Sequence, residues 1–217
     1  MRVIVFGATG MIGQGVLREC LLDGGVEQVL TIGRAPTGRE HRKLRDLVWT
    51  NLYDLSGIES ELHGFDACFF CLGVSAVGMT EEQYSHVTYD LTMSVAAFLA
   101  RLNPHMTFVL VSAAGASSDE TGAMWARVRG RTENALFRLP LRAYAFRPGL
   151  IRPLHGIKSR TRLYNAVYVT MSPVMPLLER LFPGHVTTTE QIGRAMMRVA
   201  RDGFPRKVLH TVDINAL

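Results

Sequence analysis

The sequence predicts an α/β protein built on a doubly wound parallel sheet. Two observations carry this. Short apolar runs alternate with helical patterns along the chain, and the first run passes through a glycine turn into a helix. The 217 residues favour one domain, and 47% hydrophobic residues are ample for its core. The region of about 150–190 is expected to form a small C-terminal substrate lobe.

The first strand, Val3–Phe6, enters Gly7-Ala8-Thr9-Gly10-Met11-Ile12-Gly13 and then an apolar-periodic stretch. Glycine tolerates unusual dihedrals and has no Cβ to keep a ligand away, and a helix start attracts anions. Strand, turn and helix therefore stand in the order that a dinucleotide pyrophosphate requires. The spacing Gly-x-x-Gly-x-x-Gly differs from the commonest fingerprint, and the competing reading is a turn that needs small residues only for packing.

The second strand, Gln28–Ile32, ends in Gly33-Arg34, about twenty residues past the last of these glycines, where NAD-selective folds carry an acidic residue for the ribose hydroxyls. A guanidinium there pairs with a 2′-phosphate, and Arg39, Arg42 and Lys43 are expected to add positive potential, so NADP(H) is preferred over NAD(H). The alternative is a solvated basic loop. A third strand is read at Asp46–Trp49 and a fourth at Ala67–Leu72. The fourth holds Cys68-Phe69-Phe70-Cys71, which matches a redox motif in letters, but residues three apart on a strand point to opposite faces, so both cysteines read as core.

Thr80-Glu81-Glu82 starts a helix that runs toward Leu102, with threonine as its cap. The fifth strand is Thr107–Val111, a helix follows over Ala123–Leu139, and the sixth strand is Arg142–Arg147. Residues 163–178 carry no charge but are interrupted by Pro173 and Pro176. They suit a core helix, a substrate lid or a homodimer face, with membrane association as the minor alternative. Thr188 or Thr189 caps a last helix through Arg201, and Lys207–Thr211 is the seventh strand.

The net charge of +5 and a pI near 9.4 suit nucleic acid, a membrane surface or a phosphorylated small ligand. The basic cluster at 34–45 lacks stacking aromatics, which ranks nucleic acid last. Three cysteines and a core strand directly after Met1-Arg2 point to a reduced, cytoplasmic setting. The seven histidines are scattered without metal-ligand spacing, so no metal is implied, and no nucleophile-elbow motif supports a hydrolase.

The segments GATGMIG (7–13), TIGR (31–34), DACFFCLG (66–73), LVSAAGA (110–116), RGRTENAL (129–136) and FRPGLIRP (146–153) together resemble the short-chain dehydrogenase/reductase superfamily. The likeness covers nearly the whole chain. It is to a small atypical branch that includes Tat-interacting-protein-like NADPH-binding proteins and bacterial epimerase/dehydratase relatives, and it implies a Rossmann fold. By the same resemblance Thr9, Gly10, Met11, Ile12 and Gly13 would hold the pyrophosphate behind Gly7. Asn51 and Leu52 would flank adenine, with Asn51 in place of the usual Asp. Leu72 and Gly73 would approach the adenosine ribose, and Pro148, Gly149, Leu150 and Ile151 would line the nicotinamide pocket.

The catalytic Tyr-x-x-x-Lys of that superfamily is absent, and its register reads Trp125-Ala126-Arg127-Val128-Arg129. Trp125 can shape a pocket but cannot exchange a proton, or it simply packs. Arg129 can bind ribose hydroxyls and keep a positive charge, but it does not titrate usefully. Ser112, at the end of the fifth strand, is the candidate catalytic hydroxyl, and its bland alternative is a bond to nearby backbone. Ser117, Ser118, Tyr84, Tyr89, Tyr164 and Tyr168 are further hydroxyls without a motif behind them. The chain is therefore expected to be an NADP(H)-dependent oxidoreductase that transfers hydride to a small carbonyl or quinone-like substrate. The alternative is a catalytically weak regulatory protein that senses NADPH.

Overall fold

A computed structural model describes residues 1–157 and 184–217. Its strands are β1 (Arg2–Phe6), β2 (Gln28–Gly33), β3 (Leu44–Val48), β4 (Ala67–Phe70), β5 (Thr107–Val111), β6 (Arg142–Arg147), β7 (Leu150–Arg152), β8 (Val186–Thr188) and β9 (Val208–His210). Its α-helices are α1 (Met11–Leu22), α2 (Glu81–Ser85), α3 (Leu91–Leu102), α4 (Met124–Leu136), α5 (Thr189–Asp202) and α6 (Thr211–Ala216). A seven-stranded, wholly parallel sheet runs in the order β3-β2-β1-β4-β5-β6-β9. The doubly wound Rossmann architecture is as the sequence predicts. Strand order reverses between β1 and β4, and in such sheets ligands bind at the carboxyl ends beside that reversal.

Alternation along the strands divides the core in two. Val3 and Val5 of β1 pack with Val16, Leu17 and Cys20 of α1 and with Ile192 and Met196 of α5. Ile4 and Phe6 point the other way, to Val95 and Leu99 of α3, Leu136 of α4 and Leu55 and Leu62 of the β3–β4 connection. Both faces of a parallel sheet are covered, which is why its strands read as nearly unbroken apolar runs. Helices α1 and α5 approach through glycines. A Cβ on Gly15 would stand 2.6 Å from Thr189, and one on Gly193 would stand 2.8 Å from Glu19.

The ends of several elements differ from the sequence reading. The third strand begins two residues early, at Leu44, because Leu44 and Arg45 pair with Val29 and Leu30. The fourth stops at Phe70, although Cys71 N–H still donates to Phe6 O at 3.0 Å. The last strand is shortened at both ends, since Thr211 opens α6. The expected helix from Thr80 is interrupted by a π-helical turn at His86–Asp90. Its cap is as expected: the Thr80 hydroxyl accepts from Gln83 N–H, and the Gln83 side chain accepts from Thr80 N–H. Thr188 likewise caps α5, accepting from Gln191 N–H at 2.9 Å.

The small parallel pair β7–β8 was not legible, because each strand is only three residues long and its partner is remote in sequence. It brackets the expected substrate lobe. Most of that lobe, including the uncharged segment 163–178 and Tyr164 and Tyr168, lies outside the described residues. Among the described residues no helix is long and apolar enough to cross a membrane.

Cys68 and Cys71 project to opposite faces of the sheet, Cys68 into one core cluster and Cys71 against the other. Burial pushes the Cys71 thiol up to about 12, and burial also raises Cys20 and Cys68. Such thiols remain protonated at neutral pH and are poor nucleophiles. A thiol-reactive disulfide reagent at pH 7.5 is expected to label none of the three within minutes in the native protein, and all three after denaturation. Rapid native labelling of Cys71 would show that the buried, protonated assignment is mistaken.

Candidate functional site

The site lies where β1, β2, β4 and β5 end. Gly7 adopts φ +75°, and a Cβ on it would meet Cys71 and Leu72 backbone at 2.8–2.9 Å, so the first glycine is there to let two strand ends meet. Gly13 has a different task. Its Cβ would stand 2.0 Å from Gly7 O, so glycine lets α1 start directly over the turn. Gly10 precedes α1, and no side chain caps that helix start. Met11 and Ile12 pack against the core, so Thr9–Gly13 presents backbone rather than side chains. An uncapped helix start over a glycine cradle fits a pyrophosphate.

Beside this turn a groove of about 90 Å³ is lined by Gly7, Ala8, Thr9, Thr31, Gly33, Arg34, Thr37, Leu52 and Leu72, among others. Arg34 is exposed and makes no ion pair among the described residues. The three other basic residues expected to help it are elsewhere. Lys43 Nζ donates to the carbonyls of Leu21 and Asp23, where it neutralises the end of α1. Arg39 lines a separate depression with Arg18 and Leu22, and Arg42 is exposed away from the groove lining. Leu52 is buried against the groove, but Asn51 is exposed and accepts from Tyr53 N–H. The adenine-flanking role expected of Asn51 therefore has no support in the groove's lining.

Leu72 also borders a second, tighter cleft with Gly73, Thr88, Thr92, Ser112, Arg129 and Thr132. This floor has a cavity volume of about 10 Å³, close to the room of a single water molecule. The structure thus brings the two candidate catalytic residues, Ser112 and Arg129, together with Leu72 and Gly73. The guanidinium of Arg129 lies 3.7 Å from where a Gly73 Cβ would stand. Thr88 and Thr92 are additions, brought to the cleft by the π-helical turn and the start of α3.

Ser112 is buried, and its hydroxyl donates to a carboxylate oxygen of Glu133, not to nearby backbone. Glu133 is 1% exposed and Arg147 7%. Arg147 Nε lies 3.1 Å from both Glu133 oxygens, with Nη2 2.5 Å from Oε2 and 2.8 Å from Ser118 Oγ. Sequence reading missed this Ser112–Glu133–Arg147 unit, although an arginine ending an apolar strand signals a buried acidic partner. Trp125 is half-buried over the loop after β5, its ring 3.1 Å from where a Gly115 Cβ would stand.

The remaining candidates have structural partners. Ser117 bonds within its loop to Thr121, Tyr84 is buried, and Tyr89 packs beneath Arg131. His155 pairs with Glu190, holding that carboxyl below the usual range. Pro148 accepts from Ala114 N–H, Gly149 N–H donates to Thr211 and Leu150 N–H to His185 O. A Cβ on Gly149 would stand 2.5 Å from that carbonyl. These three residues route the chain from β6 into β7.

Fold and site together define a Rossmann-type α/β protein, with a glycine turn at the strand-order reversal and a cleft running from it toward β5. More particularly, the chain belongs to the NAD dependent epimerase/dehydratase family, whose model matches residues 3–145. It is similar to "Protein FMP52-1, mitochondrial" of the yeast Scheffersomyces stipitis, at 25% identity across 95% of this chain and 91% of that protein. Its fold is similar to the Bordetella bronchiseptica enzyme WbmF, solved with NAD+, at a TM-score of 0.68 and 14% identity over 99% of this chain and 76% of that one. It is also similar to a double mutant of the dTDP-glucose 4,6-dehydratase DesIV of Streptomyces venezuelae, solved with NAD, at 0.69 and 15% over 97% and 75%. The superfamily resemblance read from the sequence holds.

Proposed function

We propose that this chain binds a nicotinamide dinucleotide, prefers NADP(H), and serves as an oxidoreductase on a small carbonyl or quinone-like substrate. The supporting observation is continuity: Leu72 borders both the groove beside the glycine turn and the cleft holding Ser112 and Arg129. Thr9–Gly13 would face the pyrophosphate through backbone N–H groups, Arg34 would pair with a 2′-phosphate, and Arg129 would meet ribose hydroxyls. A bound nicotinamide supplies or accepts a hydride; the protein's part is to orient it and to exclude water.

A second reading, a protein that senses NADPH without turnover, is favoured by the floor of the cleft. Arg129 does not cycle protons, Trp125 has none to give, and the Ser112 hydrogen is committed to Glu133. Three free thiols, two of them buried, favour a reducing cytoplasmic location, although the yeast relative's name places that protein in mitochondria.

The test titrates purified protein with NADPH and NADH and then follows NADPH oxidation against aldehydes, ketones and quinones. Binding with turnover is expected for the oxidoreductase. Binding without turnover on any substrate class selects the sensor, and binding of neither dinucleotide rejects both readings.

A further inference from the structure

Behind the wall of the groove that carries Arg34 lies a half-buried acidic clasp, one strand away from it. Thr31, on β2, stands in register with Asp46, on β3. The Thr31 hydroxyl donates to Asp46 Oδ1. Thr37 donates twice to Oδ2, through its N–H and its hydroxyl, each at 2.8 Å. Three donated hydrogen bonds require lone pairs on both oxygens, which is the chemistry of a carboxylate. The clasp folds the segment 33–37 back on itself, so that Thr31, Gly33, Arg34 and Thr37 all face one groove.

A threonine hydroxyl has a single hydrogen to give. With both hydrogens held by Asp46, the oxygens of Thr31 and Thr37 can only accept; Thr37 Oγ1 already accepts from Arg39 N–H at 3.3 Å and keeps one lone pair for a ligand in the groove. A free ribose 2′-hydroxyl has a proton to donate to such a wall. A 2′-phosphate offers acceptors and negative charge, and it meets like charge from Asp46 as well as attraction from Arg34. The two sides of the groove thus pull in opposite directions.

We propose that Asp46 is a positioning and specificity-determining residue, which turns the Thr31 and Thr37 hydroxyls into acceptors for an unesterified ribose and so keeps NAD(H) admissible beside Arg34. This rests on the dinucleotide reading of the groove. A carboxylate on β2 would contact the ribose directly; Asp46 acts from β3 through two hydroxyls, which is why the β2 end alone reads as NADP-selective.

The test measures dissociation constants for NADPH and NADH, and for the adenosine halves 2′,5′-ADP and 5′-AMP, with wild type, Asp46→Asn and Asp46→Glu, alongside melting temperature. Asp46→Asn removes the charge and is expected to raise the preference for the phosphorylated member of each pair about five-fold. Asp46→Glu keeps the charge and is expected to stay within about two-fold of wild type, even if both variants melt earlier. A purely structural clasp would weaken all four ligands together and leave the ratios unchanged, which overturns the proposal. So does an equal ratio shift in both variants. Wild-type protein that binds none of the four rejects the dinucleotide reading itself, whereas binding with immobile ratios rejects only the role of Asp46.

Discussion

Glu133→Gln is expected to destabilise the protein by about 3–5 kcal/mol, the usual effect of removing one partner of a buried ion pair. The magnitude follows from burial. Glu133 and Arg147 are 1% and 8% exposed at the side chain, so the guanidinium left behind can reach little water. Arg147 would retain Ser118, and the Ser112 hydroxyl would lose its charged acceptor. Urea unfolding should show a lower midpoint at unchanged slope, because the loss changes stability and not the surface exposed. The double variant Glu133→Met/Arg147→Met is the control. Removing both charges is expected to cost far less than removing one, since an apolar pair of similar volume leaves nothing unpaired. A Glu133→Gln midpoint equal to that of wild type would mean that the pair is solvated or relaxes at little cost.

That unit bears on function as well as stability. It lies under the cleft floor and fixes which way the Ser112 hydroxyl hydrogen points, while also tying β5 to α4 and β6. The serine expected to face a substrate is therefore held as part of a buried network, with its oxygen and not its hydrogen available to the cleft.

The second large effect concerns the groove. Arg34→Glu is expected to weaken NADPH binding by about 1–3 kcal/mol and NADH binding much less, because a charge-assisted contact to the 2′-phosphate is replaced by repulsion. Parallel titrations of the two reduced dinucleotides, read by their fluorescence, measure the difference directly. Equal losses would place Arg34 outside the phosphate contact. The size of the effect rests on Arg34 acting alone, since Lys43 is held at the end of α1 and Arg39 lines another depression. At high salt the difference should shrink, because Arg34 is exposed.

Strands β1, β4 and β5 were legible because they are buried on both faces and therefore apolar along nearly their whole length. Helix starts were legible where a threonine cap announces them, as at Thr80 and Thr188. The glycine turn could be read because Gly7 and Gly13 stand where any side chain would collide with backbone. The π-helical turn at His86–Asp90 left no such mark, since a hydrogen-bond pattern is not a composition. The pair β7–β8 was hidden for a related reason: three-residue strands carry no periodicity.

Within the site, the sequence placed Ser112 and Arg129 near one another in the topology, but it did not name their partners. Asp46 and Glu133 sit inside a strand and a helix where single polar residues are usually solvated. Only the folded chain brings Asp46 beside Thr31 and Thr37, and Glu133 beside Ser112 and Arg147. Sequence by itself determined the sheet and the glycine turn, because apolar periodicity and backbone sterics act locally along the chain. The tertiary structure decided which charges are spent on each other and which remain for a ligand, because Lys43, Asp46 and Glu133 take their partners from elements distant in sequence.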